Sequence, residues 1–319
     1  MNTLKWLLKR EFWEHKGAFF YAPVILAVVM VGVTALTLGF GMYWSEAPFR
    51  HLLAAAAAGR AAMPGGLAGV GDLLATLSLL AASPLLLLLA ASTFFYCLAA
   101  LYDERRDRSI LFWKSLPLSD THTVLSKVIT VTMVAPLIVI GVSTATSVLL
   151  VLFAGAIAAL NGVNLFGPVL SSPIFLLAPL RSLGMLPVYM IWALPTVGWL
   201  LMVSAWARSK VFLWAVGVPV IALVLVKWIT YVLGAGPAAG TLMQTVVGRI
   251  LLGLAPGSWL GGESSAMGSH GAHVAIDRVN GLLADSWATL ASPGAWVGAV
   301  AGMAMMYAAI RLRRLRDEG

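Results

Sequence analysis

The sequence predicts an all-α protein that crosses a membrane with six helices. Hydrophobic residues make up 60% of the 319 residues and charged residues only 11%, whereas about 25% of an ordinary soluble domain is charged. The mean hydropathy of +0.91 agrees with this composition. A hydrocarbon core of about 30 Å is crossed by about 20 apolar helical residues. Apolar runs long enough to do so predict spans at 19–43, 74–101, 128–152, 186–206, 211–233 and 295–312.

The distribution of lysine and arginine predicts that both termini face the cytoplasm. In that orientation fifteen of the 21 basic residues fall on inner segments, five on outer loops and one, Lys227, within the fifth span. Basic residues are enriched on the cytoplasmic side of short loops. The net charge of +8 is then explained by this topology and by anionic lipid at the inner leaflet. Nucleic-acid binding is disfavoured, because the basic residues are spread over four separate segments.

Two further helices are predicted outside the spans. Residues 1–16 place large apolar side chains mostly on one side and lysines on the other, so an amphipathic helix at the inner surface is expected. This helix either only anchors the chain or also contacts a partner. The outer loop 234–293 carries a helix-period apolar stripe at 242–254 that is too short to span, which predicts a re-entrant or interfacial helix. The whole chain, 1–319, is predicted to be one transmembrane domain.

Two spans carry repeated residues on one helix face. In the sixth span, glycines spaced by four allow another helix to approach closely, either within the chain or from a second subunit. These glycines are Gly294, Gly298 and Gly302. In the fourth span, Trp199 is the central one of three tryptophans spaced by seven residues. It either packs inside the bundle or lines a substrate path.

The sequence lacks an energy source of its own, because it contains no G-x-x-x-x-G-K-[ST] phosphate-binding loop. Lys227 lies near the outer end of its span, where snorkelling to the interface accounts for it. A membrane enzyme and an ATP-independent transporter are the alternatives to an ATP-driven one. For an enzyme, His270 and His273, with Asp277, offer metal ligands, but H-E-x-x-H is absent and neighbouring glycines indicate a flexible loop. The serine pair 264–265 lacks the glycines of a nucleophile elbow.

A dense charged segment separates the second and third spans. It follows an uncharged run that ends at residue 101, and it belongs to an inner loop at 102–123. Its residues are Tyr102, Asp103, Glu104, Arg105, Arg106, Asp107, Arg108 and Ser109. Phe112 and Trp113 follow shortly after. Large aromatic side chains in such a loop are typical of a contact that covers them, with the charged groups as its polar rim.

The segment from Leu101 to Ser119, with its Leu-Pro-x-Ser ending, resembles the intracellular loop of bacterial type-2 ABC exporter permeases. The six-span topology and the amphipathic amino-terminal helix resemble that family as well. The resemblance implies a cytoplasmic coupling helix at about 107–116 whose residues dock on a separate ABC ATPase. Two ATPase copies would bind ATP and Mg²⁺, while this chain would hold no cofactor and would pair with a second permease copy or a paralogue in the bacterial inner membrane. The alternative is a loop that rests on lipid head groups through Trp113 and its arginines.

The same resemblance implies that spans two and five line a path between two subunits. Candidate lining residues are Ser92, Phe95, Phe212 and Val216, with Trp199 from the fourth span. Because this lining is mostly apolar, amphipathic or lipid-like cargo is favoured over simple ions. Peptides, antibiotics, lipids and drugs stay equally open as cargo.

Overall fold

A computed structural model describes residues 3–41, 66–107, 119–234, 238–260 and 281–315, and within them all regular secondary structure is helical. Six helical stretches in these residues are long and apolar enough to cross a membrane. They are Gly17–Phe40, Gly69–Arg106, Asp120–Leu160, Phe166–Trp206, Leu213–Val232 and Pro293–Leu315. The prediction of an all-α membrane protein with six spans is confirmed at this level.

The helices run between two ends of one bundle. In chain order they are α1 (Thr3–Glu14), α2 (Ala22–Gly41), α3 (Gly66–Ala81), α4 (Ser83–Ala99), α5 (Tyr102–Arg106), α6 (Asp120–Ile129), α7 (Ala135–Leu160), α8 (Phe166–Leu170), α9 (Pro173–Trp206), α10 (Val218–Val232), α11 (Ala238–Leu252), α12 (281–288) and α13 (Pro293–Leu315). We call the end with α1, α5 and the last turn of α13 the basal end. The other end, with α8, α11 and α12, is the distal end.

Several spans consist of two helical pieces joined by a local irregularity. Three π-helical turns in the described residues each end two positions before a proline. The turns are Gly17–Tyr21, Thr130–Val134 and Leu213–Gly217, and the prolines are Pro23, Pro136 and Pro219. Proline lacks the N–H that the carbonyl four residues earlier would accept, and its ring collides with that carbonyl. A wider turn relieves both problems and keeps the span continuous.

Helix α9 is the centre of the bundle, and α13 packs along it at backbone distance. A Cβ atom added at Gly302 of α13 would lie 2.5 Å from the carbonyl of Leu194 in α9, and one added at Gly198 of α9 would meet the carbonyl oxygen of Gly302. Only glycine permits two helix backbones to come this close. Gly302 therefore packs within the chain.

The other two glycines of the predicted face have different surroundings. A Cβ atom at Gly298 would collide with the guanidinium of Arg249, whereas one at Gly294 would have no atom within 4 Å. Arg249 lies 4.2 Å above the ring of Trp192 and donates hydrogen bonds to the carbonyls of Gly294 and of Ala295, the latter at 2.8 Å. Burial lowers the pKa of this arginine, because desolvation penalises its charged form.

These contacts hold α11, the helix predicted in the last outer loop, against α9 and α13. Thr196 of α9 adds a hydrogen bond of 2.7 Å to the carbonyl of Arg249. Trp192, one of the three tryptophans spaced by seven residues, therefore stacks on an arginine at the distal end. The structure gives α11 the bounds Ala238–Leu252, which include most of the apolar stripe.

We expect Gly302→Ala to lower the free energy of unfolding by about 1–3 kcal/mol, because the added methyl group must push α13 away from α9. Gly294→Ala is the matched control, since its Cβ enters open space, and its effect should stay within about 0.5 kcal/mol. Thermal unfolding of both purified variants in detergent measures the difference. Equal midpoints for the two variants would contradict the close approach of the two backbones.

Candidate functional site at the basal end

A buried chain of charges joins the helices at the basal end. Its first part lies around Lys127 of α6, whose Nζ is 3.0 Å from Oε1 of Glu11 in α1 and 3.0 Å from Oε1 of Glu104 in α5. Oε2 of Glu11 accepts a hydrogen bond of 2.6 Å from the hydroxyl of Tyr96 in α4. Lys127 is 3% exposed and Glu11 is fully buried. One ammonium group thus ties the amino-terminal helix to the start of the charged loop.

The second part of the chain of charges lies around Arg313, in the last turn of α13. Its Nη1 donates to Oε2 of Glu104 at 2.6 Å, and its Nε donates to Oδ1 of Asp120 at 3.0 Å. Arg313 is 4% exposed and Glu104 is 8% exposed. Arg314 is a more distant and exposed neighbour, with its Nε 3.8 Å from Oδ2 of Asp120. We call Glu11, Glu104, Asp120, Lys127 and Arg313 the basal charge network.

Arg313 connects the two ends of the loop between spans two and three. Glu104 lies in α5, where the loop begins, and Asp120 is the first residue of α6, where the loop ends. Ser119 caps α6, because its hydroxyl accepts a hydrogen bond from the backbone N–H of His122. A single buried guanidinium therefore sets the distance between the entry and the exit of this loop.

The entry of the loop has a second attachment, to the end of α9. The backbone N–H groups of Leu101 and Tyr102 donate to the hydroxyl of Ser204 at 3.1 and 3.0 Å. Nη2 of Arg105 donates to the carbonyls of Ser204 at 2.6 Å and of Ala207 at 2.9 Å. A helix ends with carbonyls that lack intrahelical partners, and Arg105 satisfies them here. The bend between α4 and α5 is thereby fixed on the central helix.

The structure separates the charged residues that the sequence grouped together. Glu104 and Arg105 point into the bundle, and Tyr102 is half-buried. Asp103, Arg106 and Asp107 are exposed. Four residues of the predicted coupling element lie outside the described residues: Arg108, Ser109, Phe112 and Trp113. The described part of the segment is thus divided into inward anchors and an outward polar surface.

Sequence reasoning missed four members of the basal charge network, namely Glu11, Asp120, Lys127 and Arg313. The sequence did contain a signal for Glu11, because it lies four residues after Leu7 and therefore on the same side of the helix. The structure buries both residues. Lys127 and Arg313 were counted only as positive charges at a membrane edge.

The residues predicted to line a path lie together on the surface of spans two and five. The rings of Phe95 and Phe212 are stacked, with centroids 6.5 Å apart and planes 16° apart. These two side chains are 58% and 48% exposed. Ser92 and Val216 are half-buried on the same helices. Nε1 of Trp199 donates to the carbonyl of Ala215 at 2.9 Å, so Trp199 joins α9 to the turn before α10.

The remaining sequence candidates, Lys227 and the possible metal ligands, do not form a better-defined site than the basal end. Nζ of Lys227 is exposed and donates to Gln244 at 2.9 Å. Within the described residues no group of three His, Cys, Asp or Glu side chains could hold a metal ion. His270, His273, Asp277 and the serine pair 264–265 lie outside the described residues.

Comparison with known proteins gives no family assignment: no family model, no curated protein and no solved structure matches the chain.

We expect Lys127→Met to lower the free energy of unfolding by about 3–5 kcal/mol, because it leaves two buried carboxylates without their shared cation. Adding Glu11→Gln removes one of those carboxylates, so the double variant should be less destabilised than the sum of the single variants. Thermal and denaturant unfolding in detergent measure these differences.

Arg314→Met is the matched control, because Arg314 is exposed and weakly paired, and its effect should be about 0–1 kcal/mol. Additive effects of Glu11→Gln and Lys127→Met, or a Lys127→Met effect no larger than that of the control, would show that the buried network contributes little.

Proposed function

We propose that this chain is the membrane-spanning permease subunit of an ATP-driven exporter of the type-2 ABC class. It moves amphipathic or lipid-like cargo out of the cytoplasm or the inner leaflet. A separate ATPase subunit, present in two copies, binds ATP and Mg²⁺ and supplies the hydrolysis. In this proposal both termini and the basal end face the cytoplasm of a bacterium.

The observation that supports the proposal best is the attachment of the loop between spans two and three. A loop that transmits force to transmembrane helices needs stiff connections at both ends, since a soft connection would absorb the movement. Glu104 and Asp120 are held by the same buried Arg313, and Arg105 is held by the end of α9. Separating the buried Arg313–Glu104 pair would leave uncompensated charges, which is costly. A push on the loop is therefore passed to α9 and α13 together.

The exposed aromatic surface supports a second permease subunit. Phe95 and Phe212 form a stacked pair on the outside of the bundle, and Trp206 and Trp214 form an edge-to-face pair with centroids 5.0 Å apart. Many apolar side chains of the spans are exposed, as is expected next to lipid, and aromatic rings paired between different spans also suit a subunit contact or an apolar ligand path. Spans two and five would then face a second copy, or a paralogue, and enclose the path between them.

Purification of the tagged chain from its native membranes in mild detergent tests the proposal. We expect a copurifying protein with a phosphate-binding loop, ATP hydrolysis by the complex, and a native mass equal to two copies of each subunit. The chain alone should not hydrolyse ATP, because it has no phosphate-binding loop of its own. The variant Phe112→Ala/Trp113→Ala should lose the copurifying protein while its membrane level stays normal, because truncating an aromatic hot spot costs about 2 kcal/mol or more.

Trp296→Ala is the matched control, since it removes an exposed tryptophan near the distal end of α13. It should leave copurification unchanged. ATP hydrolysis by the chain free of any partner would replace the permease proposal with an enzyme. Wild-type copurification of the Phe112→Ala/Trp113→Ala variant would contradict docking at this loop.

A further inference from the structure

A cavity of about 550 Å³ lies in the distal half of the bundle, away from the basal charge network. Helices α3, α4, α7 and α9 form its walls, together with the turn at 256–260 and α12. Its volume falls in the range of about 300–1,000 Å³ that is typical of small-molecule sites. Most of the lining is apolar, including Leu86, Ile140, Leu186 and Trp259.

The polar groups of the lining differ in whether they already have partners. The hydroxyls of Ser143, Thr144 and Ser182 donate to backbone carbonyls of their own helices. Arg181 is the exception: its Nη1 is buried and has no hydrogen-bond partner. A buried donor without an acceptor is costly, and a charged one more so. The cavity wall thus contains a half-buried arginine with one buried nitrogen, Nη1, that lacks an acceptor.

The position of Arg181 along its helix matches the level of a lipid head group. Arg181 lies 25 residues before Trp206, the basal end of α9, which corresponds to about 37 Å of helix. A hydrocarbon core is about 30 Å thick, so the guanidinium lies near the distal interface. Tyr189 also lines the cavity, and it lies about 12 Å deeper along α9, toward the middle of the bundle. The charge is at the shallow end and the apolar wall extends inward.

We propose that this cavity binds an amphiphile whose anionic head group pairs with Arg181 and whose apolar chain occupies the space between α4, α7 and α9. A carboxylate or phosphate would accept the unpartnered N–H donors of Arg181 after a small rotation of its side chain, as a charge-assisted pair. The site lies within one chain, so it is independent of the proposed ATPase and of a second permease copy. A free fatty acid and an anionic lipid share this chemistry.

Native mass spectrometry of the purified chain in a non-ionic detergent tests the proposal with three probes: oleate, oleyl alcohol and 1-oleoyl-lysophosphatidylglycerol. We expect saturable binding of one anionic amphiphile per chain. Arg181→Gln should weaken that binding by about 10- to 100-fold, since hydrogen bonds to charged groups contribute that much. Oleyl alcohol should bind more weakly, and Arg181→Gln should not change its affinity. The relative affinities of oleate and the lysophospholipid identify the preferred head group.

Two further variants separate this site from general attraction between anions and a basic protein. Lys227→Gln removes an exposed cation of α10 that does not line the cavity, and it should leave oleate affinity unchanged. Thr144→Trp fills the cavity from α7 and should abolish binding of all three probes. An equal loss of oleate affinity in Lys227→Gln and Arg181→Gln would overturn the proposal. Unsaturable binding to the wild-type chain, or unchanged oleate affinity in Arg181→Gln, would overturn it as well.

Discussion

The basal end depends on one guanidinium group, that of Arg313, which pairs with Glu104 on one side and with Asp120 on the other. These carboxylates lie on two helices that the charged loop separates in sequence. Arg313 keeps the distance between the two helices constant. Glu104 and Arg313 are buried, so this carboxylate cannot turn to water as an alternative partner, while Asp120 is half-buried. Lys127 extends the same constraint to the amino-terminal helix through Glu11. Four helices, α1, α5, α6 and α13, thus meet in one cluster of paired charges, and this cluster fixes the positions of the two ends of the loop.

The central helix α9 supplies the rest of the rigidity. Its basal end holds the bend after α4 through Ser204 and accepts the side chain of Arg105. Along its length it lies against α13, with Gly198 and Gly302 allowing backbone contact. Arg313 lies in the last turn of α13. Movement at the loop therefore reaches α9 directly and α13 through its last turn, which is the mechanical property that the proposed exporter needs.

The fold class and the number of spans were predictable from the sequence, because apolar runs of span length are unambiguous in a chain with so few charges. The ends of the helices were less predictable. The second span extends from Gly69 to Arg106, beyond the predicted 74–101. A helix can continue through charged and polar residues, whereas the apolar run that predicts a span ends at them. The place of the charged loop was also predictable. The sequence could not reveal which of its charges turn inward.

The pairing partners could not be predicted, for a physical reason. Glu104 and Arg313 are 209 residues apart in sequence, and no local spacing rule relates positions on two different helices. Only the packing of α5 against the end of α13 brings them together. The apolar cavity around Arg181 was hidden for the same reason, because its walls come from three spans and from the segments at 256–260 and 281–288. In the sequence, Arg181 was only one basic residue of an outer loop.

Hydrogen–deuterium exchange of the purified chain, without any partner, tests most directly whether Arg313 holds both ends of the loop. In the wild-type chain we predict slow exchange of the amides at 101–106 and 123–127. In Arg313→Met both segments should lose protection together, while the amides at 24–40 in α2 keep theirs. Fast exchange of 101–106 in the wild-type chain, or loss of protection at only one of the two segments in Arg313→Met, would contradict the account.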